Sequence, residues 1–302
     1  MSRFATTIDL SQLAAPNVIA ALDYEAVRAA LIADFKARVP DYDVETLESD
    51  PAIKILEVAA YRELVLRAFV NDTARALLLA SAQGRDLDHL GVYYGVTRLT
   101  ISPATETALA VLESDAELRR RIQLAPEAFS TAGPAGAYEF HALTADPAVK
   151  DAAAYGYGTP GLAPGQVHVY VLARTGDGTA SPALVERVQA YLKAHADKVP
   201  MTDMVSVLAA RVAPYTVSVA LSTPAGPDPL VIRQRAEAAL AAYVGARHQI
   251  GAGVPISALI NAAFVEGVEQ ARVLSPVADI EPLTGTAPWC TGISVTTTVL
   301  PG

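Results

Sequence analysis

Residues 50–82 have the sequence DPAIKILEVAAYRELVLRAFVNDTARALLLASA, which begins with the strongest helix-start signal in the chain. Asp50 is a favourable N-cap, and Pro51 suits the first helical position because its missing N–H would have no partner there. Neither Gly nor Pro occurs again before Ala82. The pattern therefore predicts a long helix from Pro51 to about Ala82, about 45 Å in length at 1.5 Å per residue.

Apolar residues cover more than one face of this predicted helix. One set recurs at steps of three and four residues, and a second set occupies the other faces. The first set is Ile53, Leu56, Ala60, Leu64 and Val65, and the second is Ile55, Val58, Leu66, Phe69 and Leu77 to Leu79. A helix that is apolar on more than one face packs against more than one neighbour. We therefore predict an intermolecular bundle element, with Leu56, Leu64, Phe69 and Leu77 as candidate interface residues.

The sequence pattern changes near Thr100, where short alternating strands and Gly/Pro-rich loops replace long helices. A helix, a strand, a long loop and a second strand follow one another at 134–172 and again at 255–300. Inward-facing valines alternate in QVHVYV (166–171), and Val217, Val219 and Leu221 alternate in the same way. This layout predicts an α+β fold in which two tandem small α/β modules, split-βαβ-like with mostly antiparallel sheets, follow a helical head.

Three segments follow from this pattern. Residues 1–100 form the helical head with an extended N-terminal arm, 101–211 the middle module, and 212–302 the C-terminal module. The last segment ends in a long uncharged stretch, 282–302, and contains Trp289, the only Trp. An uncharged terminal strand can leave an open edge, and aromatic residues are enriched at interfaces, so Trp289 is a further interface candidate. Alternatively, the strand completes its own sheet and Trp289 is a core residue.

The net charge and the cysteine count limit the kinds of partner and site that the chain can have. The chain of 302 residues has a net charge of −9, which disfavours binding to duplex DNA or an anionic membrane surface. Cys290 is the single cysteine, so no intrachain disulfide framework or cysteine-based zinc cluster can form. No signal peptide or membrane span is indicated, and we expect synthesis in a reducing cytoplasm.

The chain is also unusually apolar, with 52% hydrophobic and 18% charged residues. Few charged residues suit a protein whose surface becomes an interface. Alternatively, a genome that favours alanine codons would raise the apolar fraction in the same way.

A search for catalytic or cofactor motifs finds none. The five histidines lack zinc-ligand spacing, and there is no Gly-x-Ser-x-Gly elbow or P-loop. The glycine-rich loop at 156–161 precedes a strand, whereas a dinucleotide loop needs a helix there. The carboxylates Glu113, Asp115 and Glu117 could pair for acid–base work, but their neighbours Arg119–Arg121 favour solvated helix charges in intrahelical ion pairs. We therefore predict no catalytic, cofactor or metal site, and no enzyme activity.

Several stretches together resemble the baseplate J-like proteins, a wedge component of contractile-tailed phages and tailocins. They run in order along most of the chain: TIDLSQL (7–13), LESDP (47–51), YREL (61–64), GRDLDHLG (84–91), TRL (97–99), ESD (113–115), LRRRI (118–122) and GPAGAY (133–138). No single stretch is a catalytic signature, and the resemblance rests on their sum.

The resemblance implies a structural role in a virion or tailocin baseplate. Two copies of the chain would combine with one smaller wedge partner through a helical bundle. Wedges would then join through their C-terminal modules into a ring around the hub, next to the hub and sheath-proximal proteins, without nucleic acid or cofactor. Two other classes stay open at this point: a cytoplasmic α/β enzyme with an unrecognised carboxylate site, and a binding module such as a receptor-binding tip. The second would need exposed aromatic loops, and aromatic residues are only 6% of the chain.

Overall fold

The computed structural model divides the chain into two compact units, Ile8–Thr97 and the residues from Arg98 onward. The described residues are 8, 10, 13, 21–42, 50–130, 132–195, 200–226 and 228–300. The predicted extended N-terminal arm lies almost entirely outside them. The three-segment division at residues 100 and 211 stays a prediction.

The first unit contains three helices, α1 (Tyr24–Arg38), α2 (Pro51–Ala76) and α3 (Gly84–Val92). Asp50 caps α2 as the sequence predicts, because its carboxylate accepts hydrogen bonds from the N–H groups of Ala52 and Ile53. The Tyr42 hydroxyl also donates to Asp50, which raises the pKa of Tyr42 to about 12.

The long helix is shorter than the sequence predicts, because α2 ends at Ala76 and not near Ala82. The Arg75 carbonyl accepts from the Leu78 N–H at 3.2 Å and from the Ser81 hydroxyl at 2.7 Å. These bonds close the chain into turns over 77–81, so the last apolar residues leave the helix axis.

The second unit begins with a small ribbon and a helical layer, and then builds two sheets in succession. Its first part comprises β1 (Thr100–Ser102), β2 (Val111–Leu112), α4 (Asp115–Leu124), a 3-10 turn (Glu127–Phe129), α5 (Ala135–Ala145), β3 (Val149–Tyr155), β4 (Gln166–Ala173), α6 (Pro182–Ala194) and β5 (Met204–Ala209). Its second part comprises β6 (Arg211–Thr223), α7 (Pro229–Arg247), α8 (Ile256–Ala263), β7 (Gln270–Ser275) and β8 (Thr286–Val299).

Each sheet has three strands, in the orders β3-β4-β5 and β7-β6-β8. The α+β class is confirmed, and each three-stranded sheet combines one antiparallel with one parallel pairing. In the first sheet β3 pairs antiparallel with β4, while β5 pairs parallel to β4. In the second, β7 is antiparallel and β8 parallel to β6. The physical reason is that helix α6 carries the chain back over the first sheet before β5 starts, and such a crossover returns a strand in the same direction.

The two sheets have separate cores. Val167, Val169 and Val171 of β4 are buried together with side chains of α5 and α6, as their alternation predicts. Val217, Val219 and Leu221 of β6 are buried against α7 and α8 in the same manner. Each sheet with its helices therefore buries an apolar layer of its own.

Candidate interaction surfaces

Helix α2 buries one narrow stripe within the first unit. Ile53 and Ala60 are almost completely buried, and Asn71 lies on the same side of the helix. The neighbouring helix is α1, from which Arg28 Nη2 approaches Glu57 Oε1 at 3.3 Å. Residues 53, 60 and 71 recur at spacings of seven and eleven, which keeps them on one side of an α-helix.

The opposite side of α2 is a broad exposed surface, which we call the α2 apolar face. Each member lies three or four residues from another member, and several are among the most exposed large apolar side chains of the unit. They are Ile55 (69% exposed), Val58, Tyr61, Val65, Leu66, Phe69 (67% exposed) and Val70. Soluble monomers rarely expose a contiguous apolar patch of this kind, which marks a surface as an interaction site.

The structure places the predicted interface residues of the head in two different environments. Phe69 is on the α2 apolar face, and Leu77 is 71% exposed just beyond the end of α2. Leu56 and Leu64 are half-buried, nearer the side that packs within the unit. The sequence places Ile55, Val58 and Leu66 on the other faces of the helix but does not single them out as interface residues. Their helical spacing from Phe69 is the signal that groups them with it.

Trp289 lies at the start of β8, half-buried within the second unit. Its indole packs on the imidazole of His248, with ring centroids 4.7 Å apart. Both side chains line a cavity of about 370 Å³ together with Lys150 from β3. This placement favours an anchoring role inside the unit for Trp289, with its remaining surface open to the cavity.

Strand β8 is a long strand at the edge of its sheet. It extends over 14 residues and contains no charged side chain. Among the described residues its ladder partner is β6, on one side, and no strand pairs with its other side. Natural proteins usually protect such an edge with charge, proline or a covering loop. Near its start β8 has such protection, because the Gly251 N–H donates to the Thr286 carbonyl and Pro288 follows. Residues 289–299 contain neither charge nor proline, so this part of the edge is a second candidate interaction surface.

The carboxylates near 113–117 correct one interpretation of the sequence. Glu113 is buried, where Arg121 Nη1 donates to its Oε2 at 2.7 Å and the Leu99 N–H donates to the same oxygen. Asp115 accepts from Arg98 at 2.7 Å, and Glu117 is held by Arg174. These groups are therefore not simply solvated helix charges, because they tie α4 to neighbouring segments.

Electrostatics at Glu117 supports this structural role. Burial alone would raise the pKa of Glu117, but hydrogen bonds from Arg174 and Ser114 outweigh it and lower the pKa below its usual value. A carboxylate kept ionised by an arginine is a poor general acid or base near neutral pH. The cluster therefore gives no support to the enzyme alternative.

Neither a metal centre nor a membrane span is visible in the part of the chain that the structure describes. No three His, Cys, Asp or Glu side chains in that part come together as metal ligands. None of its helices is long and apolar enough to cross a bilayer.

Comparisons with known proteins point to one family. Residues 48–105 match the model of the baseplate J-like N-terminal domain, and residues 130–209 match that of the baseplate J-like central domain. The chain is also 39% identical over 300 residues to baseplate protein J of Escherichia phage P2, covering 96% of this chain and 97% of that protein.

Proposed function

The chain belongs to the baseplate J-like family, and from that premise we propose that it is a structural wedge protein in the baseplate of a contractile tail. The observation that carries the proposal is the α2 apolar face, because a permanent assembly would remove these side chains from water. Burying one large apolar side chain such as Phe69 or Leu66 contributes about 1.5–3 kcal/mol. A face with several such residues is therefore a strong association surface.

In the proposed arrangement, two copies of the chain and one smaller wedge partner pack their helices together through this face. The C-terminal module then joins neighbouring wedges into a ring around the hub, near the sheath-proximal baseplate proteins. The uncharged edge of β8 supports this second contact, because strand addition at an open edge needs no charge to be buried. The finished protein is located in a virion or tailocin baseplate after synthesis in the bacterial host cytoplasm, and it acts without a cofactor.

The first test is complementation of the producing particle after deletion of the gene for this chain. Without the chain, we expect no contractile tails with complete baseplates in electron micrographs, and the wild-type chain should restore them. A variant with Ile55→Asp and Phe69→Asp should fold but fail to restore tails, because two charges would be buried unpaired in the interface.

A matched control is Ala33→Asp, which adds a carboxylate to an exposed position of α1 in the same unit. It should restore tails at wild-type yield. Complete tails assembled without the chain would contradict the structural role. Full restoration by the Ile55→Asp, Phe69→Asp variant would show instead that the α2 apolar face is not an assembly contact.

A further inference from the structure

The two sheets of the second unit meet at a small apolar cluster, which we call the junction. Its buried residues are Ala153, Leu172, Ala210, Ile250 and Ala287, and the partly buried Tyr155, Tyr170 and Val212 pack against them. Three of the five buried residues are alanine, and the remaining neighbours are only partly buried, so few large apolar side chains are fully removed from water here. The buried apolar cluster at the junction is therefore smaller than either sheet core.

The covalent link between the sheets is equally slight. Strand β5 ends at Ala209 and β6 begins at Arg211, so Ala210 is the only residue between them. The Ala210 N–H donates to the Val171 carbonyl at 2.9 Å, and the Arg211 N–H donates to the Gly285 carbonyl at 2.8 Å. The chain thus passes from one sheet to the other within one residue, a connection short enough to act as a hinge.

The carboxylate of Asp151 is fully buried at this junction, and its two oxygens accept hydrogen bonds from opposite sides of it. It lies on β3 and is 1% exposed. Its Oδ1 accepts from Arg120 Nη1 of α4 at 2.7 Å. Its Oδ2 accepts from the Ile250 N–H at 2.7 Å, in the segment that follows α7. One carboxylate therefore joins the helical layer of the first sheet to the backbone of the second.

A second polar contact lies beside it. Lys150 Nζ is 2.9 Å from His248 Nδ1, so adjacent residues of β3 contact the same short segment, 248–250. Gly178, in the loop after β4, lies very close to His248 of this segment. A Cβ at position 178 would lie only 2.9 Å from His248 Nε2, and 2.7 Å from Leu172 Cδ1 of β4 itself. Larger residues at 178 would push the segment away from the first sheet.

We propose that Asp151 is a latch: it holds the β6-containing sheet in one orientation against the β4-containing sheet, and its release lets the C-terminal part turn about Ala210 while both cores stay folded. Buried ion pairs add little net stability compared with apolar packing, but they can specify a single arrangement because a displaced partner leaves a buried charge unpaired. The charge here sits beside the smaller apolar cluster, where moving either sheet would separate it from its partners, so it selects the orientation. This device does not depend on the proposed wedge role.

The test combines hydrogen exchange with a distance measurement in the full chain. Spin labels at Ala190→Cys on α6 and Gln234→Cys on α7, in a Cys290→Ser background, report the distance between the two sheets' helical layers. The latched chain should give one narrow distance distribution. Asp151→Ala should broaden it and speed exchange of the Ile250 amide by about tenfold or more, while amides of Val169 and Val219 keep their protection.

A matched control is Asp146→Ala, which removes another arginine-paired carboxylate of the same sheet module. It should leave both the distance and the Ile250 amide unchanged. If Asp151→Ala fails to fold, the same two measurements are made on Arg120→Gln, which removes the guanidinium that donates to the same carboxylate. An unchanged distance and unchanged Ile250 exchange in the variant that folds would overturn the proposal. Equal loss of protection at Ile250, Val169 and Val219 would also overturn it, since the sheets would then open as one body.

Discussion

At the scale of single residues, the surroundings of His248 change its pKa in a direction that bears on stability. Burial lowers the pKa of His248, and the neighbouring Lys150 ammonium lowers it further. A backbone contact with Asp177 and the charges of Asp151 and Asp177 act in the opposite direction without reversing the shift. The imidazole is therefore neutral in the fold near neutral pH, and its ring rests on Trp289.

This shift predicts a pH dependence of stability with a definite sign. In the unfolded chain His248 binds a proton near its ordinary pKa of about 6.5, whereas the folded chain binds it only at lower pH. The free energy of unfolding should therefore decrease as pH falls below about 6.5 toward the lowered folded-state pKa, and should change little from this source above it. Urea unfolding between about pH 5 and pH 7 measures the slope.

His248→Gln should make that slope shallower, because no proton is taken up at this position. His89→Gln, at an exposed site on α3, is the matched control for the loss of one imidazole. An identical slope in wild type and His248→Gln would show that the buried imidazole is not the titrating group.

Residue-scale contacts were the least predictable part of the molecule. The sequence places Glu113, Glu117 and the arginines of 119–121 close together, and this spacing predicts solvated charges. The partners that matter are distant in sequence: Arg174 for Glu117, and Ile250 for Asp151. Local spacing cannot reveal such pairs, because they form only when the sheets pack.

At the scale of elements, helix α2 combines a buried stripe with an exposed apolar face, and the two should respond differently to truncation. Ile53 is 1% exposed and Phe69 is 67% exposed. In the isolated chain, Ile53→Ala should lower the free energy of unfolding by about 2–5 kcal/mol, because it leaves a cavity. Phe69→Ala should change it by no more than about 0.5 kcal/mol. Chemical denaturation of both variants, followed by circular dichroism, measures the difference.

A large loss of stability in Phe69→Ala would mean that the α2 apolar face is already covered within the isolated chain. A small loss in Ile53→Ala would mean that the stripe is not the packing side. Either result would contradict the assignment of the two faces.

Helix and strand positions were largely predictable, because caps and periodicity are local signals. The Asp50-Pro51 start of α2 and the inward valines of β4 and β6 are confirmed. The end of α2 and the parallel pairings were not predicted. The first depends on turns that close after Arg75, and the second on where α6 directs the next strand, which is a long-range property of the fold.

At the scale of the whole molecule, the chain presents an apolar helix face in its first unit and an open strand edge in its second. A protein with net charge −9 repels its own copies at long range. Contacts between copies are therefore favoured where charge is absent, and β8 has none. In the proposed arrangement, the first surface would serve the contact within a wedge and the second the contact between wedges.

The last prediction separates these two contacts. Ser294→Lys with Thr296→Lys places two ammonium groups on exposed positions of β8, where strand addition would have to desolvate them. We expect this variant to retain the wedge complex that depends on the α2 apolar face but to form no rings in electron micrographs of the complementing particle. Gln234→Lys with Ala238→Lys adds the same charge to exposed positions of α7 and should form rings normally. Rings formed by the β8 variant would show that wedges join through another surface, and loss of the wedge complex itself would show that β8 contributes within the wedge.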